Sequence, residues 1–223
     1  MNFGEYNDLY EFIKSRLMFL GINSDDGHAE DHIYRVFKNA MYIQQFEGGN
    51  KDVLAVSSIL HDLHRWVRNK ANEFISPKES VSYVKKIISP LKLGFQEEFL
   101  ICEAVENHEY RVYESIKNEF SIETRILQDA DNLDAIGSIG IIRTFKYGFV
   151  HGVPDYISNI PLTQNAIYYD NIDPSTIHHI YNKLMRIDKN LNTITAKKLS
   201  IDRMKIVSLF FDEFIREWNF YEE

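Results

Sequence analysis

The 223-residue chain carries 33 acidic against 25 basic side chains, a formal net charge of −8, and is 44% hydrophobic with 10 glycines and 5 prolines. That balance excludes a generally basic surface for nucleic acid and a low-complexity chain. A single cysteine, Cys102, excludes an intrachain disulfide and fits the reducing cytoplasm. No apolar run reaches the roughly 18 residues of a bilayer span, and Met1-Asn2-Phe3-Gly4-Glu5 lacks the basic-then-apolar layout of a signal peptide.

Apolar residues Leu9, Tyr10, Ile13, Leu17 and Leu20 recur at three and four, which predicts a helix from Tyr6 to Leu20, stopped by Gly21. A second helix runs from His28 to Phe46, with Ile33, Val36, Phe37, Ala40, Ile43 and Phe46 inward and Gly48-Gly49-Asn50 as its break. Asp52 to Trp66 is almost continuously apolar, so a buried helix is expected there, ending in His61-Asp62. Pro77 opens a helix that presents Val81, Val84, Ile87 and Ile88 inward and stops at Pro90. Further helices are expected over residues 96–108, 121–134, 175–187 and 195–217. Ile136 to Val150 is an apolar stretch punctuated by glycine that packs closely. Residues 152–173 read as loop, a lid or a structural crossover. No stretch alternates with period two, and no linker stands out. The expectation is one all-α domain over residues 1–223, with a helical C-terminal part at about 174–220 packed on the core.

The chemistry concentrates in four stretches. His28, His32 and Arg35 are spaced four and three apart and share one face of a helix. A solvated face is the plainer reading of His32 taken alone. His61 and Asp62 stand at the end of the buried helix. A carboxylate there opposes the partial negative charge of the helix C-terminus, and a cation would resolve the conflict. His64 lies on roughly the same side as His61, and His108 ends a helix; for both, a surface or capping role competes with a place in a site. In Gln128-Asp129-Ala130-Asp131-Asn132-Leu133-Asp134, Asp131 and Asp134 share a face while Asp129 points elsewhere. Together His32, His61, Asp62 and Asp131 could form a set of two nitrogen and two oxygen donors. Two carboxylates balance a divalent charge, and open positions remain for water and a substrate oxygen.

The ordered motifs, Gly27-His28-Ala29-Glu30-Asp31-His32, then His61-Asp62, then the segment from Gln128 to Gly137, resemble the HD superfamily of metal-dependent phosphohydrolases, in its small standalone branch. The likeness continues through Gly140-Ile141-Ile142-Arg143, through His179 to Leu184, and into the tail with Arg203. It implies an all-α helical bundle with a metal between helices, ligated by His32, His61, Asp62 and Asp131. Mn2+ or Mg2+ are the expected ions, with Ni2+, Fe2+, Co2+ or Zn2+ as alternatives. Asp62, His28 and His108 are the candidate catalytic groups. Arg35, His64, Asp134, Arg143, His179 and Lys183 are the candidate substrate contacts. Binuclear members of the superfamily carry extra histidines between the His-Asp pair and the last aspartate. Here that interval offers only His64 and His108, so one metal is favoured. The substrate class is a phosphoester or phosphoanhydride, a nucleotide in the first place, for instance a nucleoside triphosphate cut to monophosphate and pyrophosphate. A nucleotide sensor with little turnover is the alternative reading. No membrane partner and no non-specific nucleic-acid binding are expected; a homodimer stays open.

Overall fold

The computed structural model describes residues 2–22, 30–109, 120–163 and 173–220. Helix follows helix through them. The order is α1 (Asn7–Phe19), α2 (Glu30–Glu47), α3 (Lys51–Leu60), α4 (Pro77–Ile88), α5 (Phe95–Asn107), α6 (Ile122–Asp134), α7 (Gly137–His151), α8 (Thr176–Asn182) and α9 (Ile194–Trp218). Among the described residues the sole strand-like pairing is an isolated bridge between Arg68 and Phe74. The fold is therefore all-α, as the spacing of apolar residues requires. No described helix is long and apolar enough to cross a membrane.

The chain divides into two compact units. The first holds residues 1–131 with 192–195, and the second holds 132–191 with 196–223. In the first, α3 is the central rod. Every residue from Val53 to Leu60 is buried, so it has no solvent face. Ile33 and Phe37 of α2, Val84 and Ile87 of α4, and Ile101 and Val105 of α5 join it in one apolar core. Each such side chain stabilises the fold by about 1.5–3 kcal/mol on leaving water.

The ends of these helices follow local rules. Asn50 caps α3, its Oδ1 accepting from the backbone of Asp52 and Val53 at 2.9 and 3.2 Å. Asn50 in turn donates its own N–H to Glu123 at 2.7 Å, which ties the start of α3 to the start of α6. Gly49 (φ +89°) makes this approach feasible, since a Cβ would meet Ile122 Cγ2 at 3.2 Å. Ser76 and Glu79 form a reciprocal capping box around Pro77 at the start of α4.

Three expectations change. The helix predicted over Asp52–Trp66 is α-helical only to Leu60; His61–Arg65 form a 3-10 turn. At that point the Ser58 carbonyl accepts from His61 Nδ1 at 2.7 Å. Phe46, predicted inward, is 64% exposed; it lies on the last turn of α2, beyond Ile43, the last inward residue. Finally, the helix expected over residues 175–187 is α-helical only over Thr176–Asn182, with Leu184–Asn190 in a 3-10 helix, while the glycine-punctuated stretch packs closely, as expected, as α7. Its glycines permit close approaches within the second unit: a Cβ at Gly148 would lie 2.5 Å from Thr176 Oγ1.

The second unit is built by α7, α8 and most of α9. Arg203 of α9 donates to the Leu133 carbonyl at 2.6 Å. Tyr181 stacks on Phe211 with ring centroids 5.1 Å apart, and Tyr156 meets Phe214 and Trp218 edge-on.

Candidate metal centre

All four expected metal ligands fall in the first unit, on three elements. α2 carries His32, the 3-10 turn after α3 carries His61 and Asp62, and α6 carries Asp131. His61 donates Nδ1–H to the Ser58 carbonyl at 2.7 Å, so its Nε2 presents a lone pair. That Nε2 lies 3.1 Å from Nε2 of His32. His32 Nε2 is also 3.4 Å from Asp62 Oδ2 and 3.4 Å from Asp131 Oδ1. His61 Nε2 is 3.6 Å from Asp62 Oδ2.

Two imidazole nitrogens and the Asp62 Oδ2 oxygen thus converge at separations between 3.1 and 3.6 Å, and Asp131 Oδ1 adjoins them through His32 Nε2 at 3.4 Å. Donors at about 2.1 Å from a common cation stand about 3–3.4 Å apart, so His32, His61 and Asp62 fit a divalent ion, with Asp131 beside them as the fourth donor. The chemistry fits too, being mixed nitrogen and oxygen with no thiolate. The His61 side chain is fully buried and those of His32 and Asp62 are 4% exposed, whereas Asp131 is 28% exposed. Asp131 is thus the least enclosed of the four.

Electrostatics follow this burial. Burial pushes the His61 pKa down to about 4, against the opposing pull of Asp62. The imidazole is neutral at physiological pH, the form that ligates metal. Burial pushes the Asp131 carboxyl up, but the neighbouring His32 and His61 outweigh it and hold it below the usual carboxylate range.

A second cluster shares Asp62. His108 Nε2 is 3.7 Å from Asp62 Oδ1, and His64 Nε2 is 3.7 Å from Glu109 Oε1. Both histidines are buried rather than at the surface. His108 donates Nδ1–H to the Val105 carbonyl at 2.8 Å. Burial lowers its pKa, and Asp62 outweighs that effect and raises it. Arg65 stands between the two carboxylates. Its Nε donates to Asp62 Oδ1 at 3.0 Å and its Nη2 to Glu109 Oε1. Sequence reasoning passed over Arg65 and Glu109. The available signal was a basic residue three positions after Asp62.

The backbone that carries Asp131 is held from three directions. Gln128 Nε2 donates to the Asn107 carbonyl at 2.8 Å. Asp129 accepts the backbone N–H of Asn192 and of Thr193, each at 2.7 Å, together with both of their side chains. Asn39 of α2 donates to the Ala130 carbonyl at 3.1 Å.

The other expected residues are placed as follows. Arg35 follows His32 by three positions on α2 and is partly buried. His28 lies outside the described residues. Asp134, Arg143, His179 and Lys183 belong to the second unit. There Arg143 Nη1 is 2.5 Å from Asp134 Oδ2, and His179 Nδ1 is 2.7 Å from Asp173 Oδ2.

Residues 30–136 match the family model of the HD domain. That stretch is an HD domain, and the chain as a whole is similar to solved HD-superfamily hydrolases. The Bacillus subtilis (strain 168) protein YpgQ is 26% identical over 201 residues, covering 90% of this chain and 89% of YpgQ. A crystal structure of an HD-superfamily hydrolase from Bacillus thuringiensis, 28% identical, has a TM-score of 0.70 and covers 96% of this chain and 97% of that one. A Lactobacillus plantarum structure, 25% identical, gives a TM-score of 0.76 with 96% and 98% covered. YpgQ itself has been solved in complex with ADP. That structure, at 23% identity and a TM-score of 0.65, covers 95% of this chain and 93% of its own.

Proposed function

We propose that the chain hydrolyses a phosphoester or phosphoanhydride of a nucleotide, using Mn2+ or Mg2+ held by His32, His61, Asp62 and Asp131. The observation that carries this reading is the convergence of His32 Nε2, His61 Nε2 and Asp62 Oδ2 at separations of 3.1–3.6 Å, with Asp131 Oδ1 3.4 Å from His32 Nε2. The ADP complex of the relative YpgQ supports a nucleotide as the substrate. Conversion of a nucleoside triphosphate to monophosphate and pyrophosphate is one reaction of this class.

A divalent cation bound at these residues supplies Lewis-acid charge to a phosphoryl oxygen and acidifies water near neutral pH. The protein's own groups do the rest. His108 has committed Nδ1 to Val105, so Nε2 is the atom that takes a proton from the attacking water. Asp62 Oδ1, 3.7 Å away, stabilises the imidazolium that results. Arg35, one turn beyond His32, offers a positive charge to phosphate oxygens. His64 is the second first-unit group assigned to substrate.

The test is incubation of purified protein with Mn2+ and a panel of nucleoside di- and triphosphates, following phosphate and pyrophosphate. Metal-dependent release that a chelator stops is the expected result. Tight nucleotide binding with no product from any member of the panel would instead indicate a sensor.

A further inference from the structure

Asp62 uses its two oxygens differently. Oδ2 faces His32 and His61, at 3.4 and 3.6 Å. Oδ1 accepts from Arg65 Nε at 3.0 Å. The 3-10 turn favours this division, because it eclipses residues three apart and so brings the Arg65 side chain back onto the Asp62 carboxylate. The guanidinium is itself fixed at the far end, where Nη2 donates to Glu109 just past the end of α5. Arg65 is thus a planar fork with one prong on each of two carboxylates, a geometry that lysine cannot reproduce. Two charge-assisted bonds at right places on one fork fix orientation as well as adding energy.

We propose that Arg65 is a positioning residue for the metal centre. It holds Asp62 so that Oδ2 alone points into the cluster, and Glu109 holds Arg65 in place for that task. The inference rests on the reading of His32, His61, Asp62 and Asp131 as metal ligands. A carboxylate that ligates through one oxygen needs its other oxygen occupied, or the group turns and the ligand set loses its register. Partners of this kind are worth about 10–100-fold in metal affinity. Arg65 also offsets part of the carboxylate charge, an effect that works the other way and would weaken cation binding. The proposal is that orientation outweighs charge here, because Asp62 is enclosed on all sides and cannot regain its position by chance.

The experiment is calorimetric titration of metal-free protein with Mn2+, well below the melting temperature of each variant, for wild type, Arg65→Met, Arg65→Lys and Glu109→Gln. Arg65→Met should weaken Mn2+ binding by about 10-fold or more. Arg65→Lys should recover part of the loss, and Glu109→Gln should fall between wild type and Arg65→Met. A purely structural role would lower the melting temperature and leave the dissociation constant alone. Unchanged or tighter Mn2+ binding by a folded Arg65→Met protein overturns the proposal. Failure of the wild type to bind Mn2+ overturns the underlying reading of the ligands instead. Should Arg65→Met not fold, the ratio of Arg65→Lys to wild-type affinity decides, with equality counting against the proposal.

Discussion

Nε2 of His61 lies 3.1 Å from Nε2 of His32. Because Nδ1 of His61 already donates to Ser58, its Nε2 holds a lone pair rather than a proton. Two imidazole nitrogens aimed at one another, with carboxylates beside them, form a site that a shared proton or a cation completes. Removing a member should therefore abolish cation binding while leaving the fold intact. For Asp131→Ala, the most exposed of the four, Mn2+ should no longer raise the melting temperature and metal-dependent hydrolysis should be lost. The metal-free variant should still unfold in one cooperative transition, since Asp131 is the least enclosed of the four. Differential scanning calorimetry with and without Mn2+ checks both halves.

Metal addition should stabilise the wild type by mass action. At a free Mn2+ concentration 100 times the dissociation constant, the gain is about 2.7 kcal/mol. A urea unfolding series over Mn2+ concentration measures it. A midpoint that does not move with Mn2+ would contradict the assignment of the cluster as a metal centre.

Burial of His61 couples stability to pH in the metal-free protein. Its pKa falls from 6.5 to about 4 on folding. Between those values the unfolded chain binds the proton and the folded chain does not. Stability contributed by neutral His61 is thus complete above pH 6.5 and declines as pH falls, levelling off below about 4. The full loss is about 3 kcal/mol. The urea midpoint of metal-free His61→Gln should fall less steeply over the same window than that of wild type.

Asp129 is two residues from Asp131 but has a different task. It receives two backbone and two side-chain donors from Asn192 and Thr193. Asp129→Ala removes the acceptor of both backbone N–H groups and of Thr193 Oγ1, while Asn192 Nδ2 keeps Gln128 and Arg125, and should cost about 3 kcal/mol. Chemical denaturation measures the loss, which adding Mn2+ should reduce but not abolish, because the ligands themselves remain.

Much of this was legible in the sequence, for reasons that particular residues illustrate. Spacing at three and four located α2, and the unbroken apolar run from Val53 to Leu60 announced a helix buried on every side, because burial leaves a direct compositional trace. The His-Asp pair stood out because a carboxylate at such a helix end needs a cation. What remained hidden depended on distance in space. Nothing in Asp129 itself shows that its partners are Asn192 and Thr193, 63 and 64 residues away. Arg65 belongs to none of the motifs. It meets Asp62 at a spacing of three, but only in space does it also reach Glu109, 44 residues on. Glu109 was hidden for the same reason: its importance comes from Arg65. His64 and His108, open to a surface reading, are buried because both lie against the same central helix end.

The most direct test is location of the metal. Crystals of the protein grown or soaked with Mn2+ should show an anomalous difference peak, at the manganese edge, within bonding distance of His32 Nε2, His61 Nε2, Asp62 Oδ2 and Asp131 Oδ1 together. A peak that these four atoms do not share, or the absence of any peak in Mn2+-saturated crystals, would contradict the account.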